Sequence, residues 1–131
     1  MKRPRMFGVV FLALIAALSL ASAAGLHAAA PPAAGGVPAG KDVRNPFAGR
    51  PEAVKEGDKL FDEKCSECHM DGTGGAGPNL TDDTWIYGGT DADVFETIAY
   101  GRKGGMPSWK SELGADNIWK IIAYIRSIHR P

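Results

Sequence analysis

The only two cysteines of this chain, Cys65 and Cys68, are separated by two residues, and His69 follows directly. With 131 residues, the chain is long enough for one modest domain. A disulfide between these cysteines would close too small a loop to stabilise a fold much. A redox-active pair would need a thioredoxin-like β-α-β context. A structural zinc site would need four Cys or His ligands, and beyond residue 50 only His69 and the distant His129 remain beside the two cysteines.

The spacing Cys-x-x-Cys-His is the signature of covalent haem attachment. Two residues three positions apart lie on the same face of a helix, so both thiols can form thioethers with one haem. The adjacent imidazole can then reach the iron. We therefore predict one haem c per chain, attached through Cys65 and Cys68, with His69 as an iron ligand.

Residues 1–23 predict a secretory signal peptide. Three basic residues precede the apolar stretch 7–20, and small residues at positions 21–23 offer a cleavage site. Residues 6–26 are also long enough to cross a bilayer, which takes about 20 residues, so an uncleaved membrane anchor is the competing interpretation. Both place the rest of the chain outside the cytoplasm, and we expect a periplasmic protein that contacts the membrane only through an uncleaved leader.

Residues 24–50 are rich in Ala, Pro and Gly, a composition that buries little and is typical of a flexible linker. Phe47 is the one bulky apolar residue in the second half of this stretch. The segment Asn45-Pro46-Phe47 is therefore where we expect the chain to dock first on the folded body. Residues 51–131 are predicted to form that body, a single haem-binding domain.

Helical periodicity dominates the predicted domain. Pro51 suits a first helical position, and apolar residues follow it at helical spacing. Thr90 and Asp93 form a capping box at the start of a helix over residues 91–100. Isoleucines at helical spacing predict a last helix over about residues 115–129. Without any strand alternation longer than a few residues, the fold class is predicted to be all-α.

The second iron ligand must come from elsewhere in the chain. Two of the four methionines lie in the leader, and Met70 follows His69 too closely to reach the opposite haem face. Met106 lies in a glycine-rich loop before Pro107, where a thioether could be held over the iron. A methionine that merely packs is the alternative for this position. His129 is the second candidate ligand, although it lies at a chain end that is prone to fray.

These motifs together resemble class I c-type cytochromes over residues 51–130. In that family an N-terminal helix with a glycine and an aromatic residue crosses a C-terminal helix with an aliphatic and an aromatic residue. Gly57 and Phe61 match the first pair, and Ile121 and Tyr124 match the second. Glycine lets two helix backbones approach closely. The resemblance implies crossed terminal helices, with short helices and loops wrapped around one covalent haem.

The same resemblance assigns roles to two loops. In the family, a proline carbonyl accepts a hydrogen bond from the ligand histidine, and Pro78 stands in the matching position for His69. That bond would orient the imidazole and raise its basicity. Met106 and Pro107 match the axial methionine of the family and the proline that follows it.

A narrower resemblance is carried by residues 83–89, DTWIYGG, and residues 101–109, GRKGGMPSW. These segments are similar to small cytochromes that serve quinoprotein alcohol dehydrogenases and to haem domains of terminal-oxidase subunits. Trp85 is our choice for an indole that bonds a haem propionate, against the alternative of a haem-wall residue. Arg102 suits a propionate as well, although a solvated surface charge is an equal alternative.

Charge excludes one class of function and hints at docking. Without the three basic residues of the leader, 12 basic residues face 15 acidic ones, so no basic patch predicts nucleic-acid binding. Residues 52–96 hold twelve acids and three lysines, whereas residues 102–130 hold six basic residues and two acids. This split predicts a molecular dipole that could steer encounter with redox partners.

The expected function is that of a monomeric single-electron carrier and not an enzyme. The resemblance implies a dehydrogenase, possibly a quinoprotein, as donor and a cytochrome or terminal oxidase as acceptor. Two alternatives stay open at this point. The chain could be a haem enzyme or gas sensor with a labile sixth ligand, or a tethered haem module of a respiratory complex.

Overall fold

A computed structural model describes residue 40 and residues 42–130, which are helices and loops without a strand. The helices are α1 (Pro51–Lys64), α2 (Ser66–His69), α3 (Asp91–Tyr100) and α4 (Lys110–Ile128). The only β-type pairing in the described residues is one isolated antiparallel bridge between Arg102 and Met106. The predicted all-α class is confirmed. The predicted signal peptide lies outside the described residues.

The crossing of α1 and α4 is the centre of the fold. A Cβ atom built at Gly57 would overlap the carbonyl oxygen of Lys120 and lie 3.0 Å from the Cβ atom of Tyr124. The rings of Phe61 and Tyr124 pack with their centroids 5.1 Å apart. Any side chain at position 57 would push the two backbones apart, so glycine is required for this crossing.

The start of α3 is fixed by the predicted capping box. The backbone N–H of Asp93 donates to the Thr90 hydroxyl at 3.1 Å, and the backbone N–H of Thr90 donates to the Asp93 carboxylate at 3.2 Å. Two of the four unpaired N–H groups of the first turn are thereby satisfied. The inner face of the helix is apolar and buried, with Val94, Phe95, Ile98 and Ala99 in the core.

The last helix starts earlier than the isoleucine pattern indicates. Gly114 has φ 72° and ψ 168°, which interrupts the helix after a first turn that begins at Lys110. The continuous part therefore begins at about the predicted residue 115. Its inner face fills the core between α1 and α3, with Ile118, Trp119, Ile121, Ile122 and Ile125 buried.

The segment before α1 packs onto the helices over its last residues. Asn45 and Phe47 are only 5% and 6% exposed. The side-chain amide of Asn45 donates to the carbonyl of Trp119 in α4 at 2.8 Å, and its Oδ1 accepts the N–H of Phe47 at 2.9 Å. Part of the stretch 24–50 predicted as linker is therefore packed, and residues 24–39 and 41 lie outside the described residues.

None of the helices in the described part of the chain is long and apolar enough to cross a membrane.

Candidate functional site

A cavity of about 600 Å³ opens between α1, α3 and α4 and the loops that join them. Its volume lies within the range of about 300–1,000 Å³ that is usual for small-molecule and cofactor sites. The structure brings together all seven residues selected from the sequence, since each of them lines this cavity: Cys65, Cys68, His69, Pro78, Trp85, Arg102 and Met106.

The two cysteines enter the cavity wall from the end of α1 and from α2. The N–H of Cys65 donates to the carbonyl of Phe61 at 2.8 Å, which continues the helical turn into the motif. The N–H of His69 donates to the carbonyl of Cys65 at 2.9 Å. Burial, and to a smaller extent the charge of Cys68, raises the pKa of the Cys65 thiol to about 11. Cys65 is therefore a neutral thiol at physiological pH.

His69 is buried beside the loop that follows it. Its Nδ1 lies 3.0 Å from the carbonyl oxygen of Pro78, within hydrogen-bond distance. An Nδ1–H donor in this bond leaves Nε2 as the ring nitrogen that is free to bind a metal. A Cβ atom at Gly77 would lie 2.5 Å from Cε1 of the ring, so glycine is needed for the loop to lie this close.

Met106 lies in a loop that is fastened at its base. The N–H of Arg102 donates to the carbonyl of Met106 at 3.0 Å, and the Ser108 hydroxyl donates to the carbonyl of Ala99 at 2.7 Å. Gly101 has φ 70°, and a side chain there would overlap the carbonyl oxygen of Met106. The backbone of Met106 is thereby held beside the cavity.

The Arg102 side chain makes hydrogen bonds within the protein and is not a solvated surface charge. Its guanidinium donates to the carbonyl of Gly101 at 3.1 Å and to the Thr97 hydroxyl at 2.7 Å, and lies 4.9 Å from the Tyr87 ring centroid. The sequence offered no signal for these contacts, because Thr97 belongs to no motif and Tyr87 has no assigned role within the segment 83–89. The buried Nε has no hydrogen-bond partner within the described residues.

Trp85 is held in the cavity wall from two sides. A Cβ atom at Gly89 would lie 2.7 Å from Cδ1 of the indole, so the ring packs directly on that backbone. The Arg126 guanidinium lies over the indole, 5.0 Å from the ring centroid. Arg126 does not line the cavity but supports Trp85, and sequence reasoning missed it because this contact comes only from the folding of α4 against residues 85–91.

Comparison with known proteins gives the family of the domain. Residues 52–125, more than half of the chain, match the family model described as "Cytochrome C oxidase, cbb3-type, subunit III". The chain belongs to this family. It is a c-type cytochrome, and the cofactor that the family implies is haem c.

A relative and two solved structures show how far the similarity reaches. The cbb3-type cytochrome c oxidase subunit FixP of Bradyrhizobium diazoefficiens is 42% identical over 77 residues, which is 56% of this chain and 27% of FixP. The chain thus matches about a quarter of that relative. The structure of cytochrome cL from Methylophaga aminisulfidivorans has a TM-score of 0.63 at 36% identity and covers 66% of this chain and 59% of its own. Cytochrome cL from Hyphomicrobium denitrificans has a TM-score of 0.62 at 37% identity, covering 64% and 52%.

The residues of the cytochrome cavity suit a haem. Thiols, an imidazole and a thioether from Cys65, Cys68, His69 and Met106 are the groups that attach haem c and bind its iron. The unpartnered Nε of Arg102 is a buried donor at a cavity wall, where it suits an anionic group such as a propionate. Apolar groups of Phe61, Leu80, Ile98, Ile121 and Ile125 line the interior.

Met70 and the second candidate ligand, His129, are not among the residues that line this cytochrome cavity. Met70 has φ 52°, is 59% exposed and is not among the lining residues. His129 is not among them either, and its Nε2 lies 2.9 Å from the carbonyl oxygen of Asp82 and 3.3 Å from the Asp83 carboxylate. This histidine therefore ties the end of α4 to the loop before Trp85.

Ion pairs reduce the charge split of the cytochrome sequence. Lys120 pairs with Glu56 at 2.5 Å, Arg126 pairs with Asp91 at 2.9 Å, and Lys64 pairs with Glu112 at 2.7 Å. The first two pairs join an acid of residues 52–96 to a base of residues 102–130 and so reduce the split, whereas the third joins a lysine of the acidic half to an acid of the basic half. The folded chain therefore cancels part of the dipole that the sequence predicts.

Proposed function

We propose that this chain is a single-electron carrier that holds one haem c, attached through Cys65 and Cys68 and ligated by His69 and Met106. The haem, when bound, supplies one-electron exchange at its iron. The observation that carries the proposal is the convergence of all four residues on one cavity of about 600 Å³.

The protein residues set the conditions for that exchange. The Pro78 carbonyl orients the His69 imidazole through the contact of 3.0 Å and makes it a stronger ligand. A methionine opposite a histidine favours the reduced iron and raises the potential. His69 and Met106 would together occupy the coordination sites of the iron that a substrate could use, and we therefore propose a carrier and not an enzyme.

The mouth of the cavity suits brief contact with a redox protein. Ile86 and Tyr87 line it and are 66% and 50% exposed, and Lys103 lies at the same opening. Small apolar patches with a polar rim are typical of weak electron-transfer contacts.

The similarity of residues 83–89 and 101–109 to cytochromes that serve quinoprotein dehydrogenases supports such a dehydrogenase as donor, with a cytochrome or oxidase as acceptor. The leader-like residues 1–23 support a periplasmic location.

A second candidate, a tethered haem module of a respiratory complex, is favoured by one specific observation. The relative with 42% identity is a subunit of a cbb3-type oxidase. Cell fractionation separates the two candidates, because a carrier is released with the periplasmic contents whereas a tethered module remains with the membranes.

Optical spectra of the purified exported protein test the proposal. We expect a covalent haem that stains on a denaturing gel, the weak long-wavelength band of methionine-ligated ferric iron, and no carbon monoxide binding after reduction. The His69 and Met106 ligation is falsified if that band is absent and the reduced protein binds carbon monoxide readily. The same result would favour a haem enzyme or gas sensor with a labile sixth ligand.

A further inference from the structure

The packed segment before α1, residues 43–50, lies upstream of the family match, which begins at residue 52. We refer to it as the N-terminal strap. Its buried residues Asn45 and Phe47 reach the core of the domain, and Asn45 bonds the carbonyl of Trp119 in α4. Strong burial outside the matched region raises the question of what the strap contributes to the haem site.

Besides its bond to Trp119, the strap is linked to Arg126 of α4 through the carboxylate of Asp91. Oδ2 of Asp91 accepts the backbone N–H of Asn45 at 2.8 Å, and Oδ1 accepts Nε–H of Arg126 at 2.9 Å. Both members of the ion pair are mostly buried, with side chains 20% and 30% exposed. Each carboxylate oxygen of Asp91 thus accepts one hydrogen bond, one from the strap and the other from Arg126.

Arg126 carries this connection to the cavity wall. Its terminal nitrogen donates to the carbonyl of Gly89 at 2.6 Å, while its guanidinium covers the Trp85 ring. The indole also packs on the backbone of Gly89, and its centroid lies 6.0 Å from that of the His129 ring. One guanidinium therefore fixes both the indole and the backbone on which the indole packs, and its own orientation depends on Asp91.

We propose that Asp91 is a positioning residue for the haem site, which acts by holding Arg126 over Trp85, and that the N-terminal strap sets Asp91 for this role. The proposal rests on the haem site of the proposed function. It makes the strap a part of the functional domain, since the strap fixes the wall that faces the cofactor.

A pair of matched substitutions tests the proposal in the full haem-loaded chain. Asp91→Asn and Glu56→Gln each convert to the corresponding amide a carboxylate that pairs with a cation of α4, but only the first pair contacts Trp85. We expect Asp91→Asn to change the reduction potential and the near-ultraviolet circular dichroism of tryptophan. We expect Glu56→Gln to leave both unchanged. Equal changes in the two variants, or none in Asp91→Asn, would overturn the proposal.

The Trp85→Phe background separates positioning from simple electrostatics. Removal of the Asp91 charge alone would raise the potential by the same amount with either residue at position 85, because the effect would not pass through the indole. If Asp91 acts through Trp85, the shift caused by Asp91→Asn falls by more than half in the Trp85→Phe background. Equal shifts in both backgrounds would overturn the proposal.

Asn45→Ala changes no charge and keeps the backbone N–H that donates to Asp91. It removes the side-chain hydrogen bonds to Trp119 and Phe47 that position this N–H. This variant also serves if Asp91→Asn fails to fold. We expect the potential and the tryptophan spectrum to change in the haem-loaded variant, and an unchanged pair of values would contradict the role of the strap. A parent chain without covalent haem would instead contradict the proposed function. The two failures are thus distinguished by whether haem is attached.

Discussion

Two walls of the cavity are rich in glycine. Residues 65–80 carry His69 and form the His69 wall, and residues 101–109 carry Met106 and form the Met106 wall. The glycines of the two walls have different roles. Beside His69, Gly77 provides space, because a Cβ atom there would lie 2.5 Å from the imidazole. Before Met106, Gly104 and Gly105 have φ values of 116° and 123°, and a Cβ atom at either would meet nothing within 4 Å. A side chain in place of glycine is therefore excluded by packing on the His69 wall and disfavoured by backbone conformation on the Met106 wall.

This difference indicates which of the two walls opens at the smaller free energy. The His69 wall holds its ligand buried and is tied by backbone hydrogen bonds, with the N–H of Gly77 donating to the carbonyl of Cys68 at 2.8 Å and the N–H of Leu80 donating to the carbonyl of Gly72 at 2.7 Å. The Met106 wall is fastened at its base, through Arg102 and Ser108, and is exposed at its tip. A segment with few buried contacts opens at a smaller free energy than the core. We therefore expect the Met106 wall to open before the His69 wall does.

The largest effect is expected from removal of the covalent bonds on the His69 wall. In the Cys65→Ala, Cys68→Ala double variant no thioether can form, so haem should no longer stain on a denaturing gel. Cys68→Ala alone provides the matched single substitution and should keep one attachment. A stained band in the double variant would show that these cysteines do not attach the haem.

Replacement of the ligand on the other wall should open the iron without release of the cofactor. Met106→Ala removes the thioether, so the long-wavelength band should disappear, the potential should fall and the reduced protein should bind carbon monoxide. Met70→Ala, at an exposed methionine next to His69, is the control and should leave the spectrum unchanged. Should the Met106 variant keep the spectrum of the parent, another residue ligates the iron.

Much of this architecture follows from local sequence rules. The all-α class, the start of α3 and the close approach at Gly57 each depend on residues near one another in the chain or on one glycine. The contacts of Arg102 with Tyr87 and of Arg126 with Trp85 do not, because these residues become neighbours only through tertiary packing. The ion pairs that cancel the predicted charge split have the same origin, with Lys120 and Glu56 separated by 64 positions.

A glycine-to-alanine substitution on each wall tests the difference between a glycine that provides space and a glycine that adopts a positive φ. Gly77→Ala should displace the His69 imidazole, alter the haem spectrum and lower the free energy of unfolding by about 1–3 kcal/mol through overpacking. Gly104→Ala should cost about 1–3 kcal/mol for its unfavourable φ and leave the His69 signals unchanged. Denaturant unfolding and paramagnetic NMR of the haem ligands measure both effects. Identical histidine signals in parent and Gly77→Ala would show that the packing at Gly77 does not restrain His69.

A smaller effect is expected at the base of the Met106 wall. Arg102→Lys removes the fork that holds Gly101 and Thr97, and hydrogen bonds of a charged group contribute about 1.5–3 kcal/mol. On heating, the methionine band should disappear at a lower temperature than in the parent, with little change in the loss of helical circular dichroism. Lys103→Ala, at the exposed neighbour, is the control. If the band and the helices disappear together in every variant, the Met106 wall has no separate opening.

The smallest effect is expected where the two walls are joined by an exposed ion pair. Lys64, next to Cys65, lies 2.7 Å from Glu112 in the first turn of α4, and both side chains are solvated. The hydrogen bond and charge of Glu112 raise the pKa of Lys64 above its usual 10.5. A raised lysine pKa stabilises the folded state at pH values below the unfolded pKa, and this stabilisation is lost as pH rises through the folded pKa.

Glu112→Gln should therefore lower Tm slightly at neutral pH and low salt, with no difference from the parent above the raised pKa or at high salt. Thermal melts at several pH values and salt concentrations measure this difference. A large decrease in Tm that persists at high salt would mean that this pair, and not the packing of α1 against α4, holds the walls together.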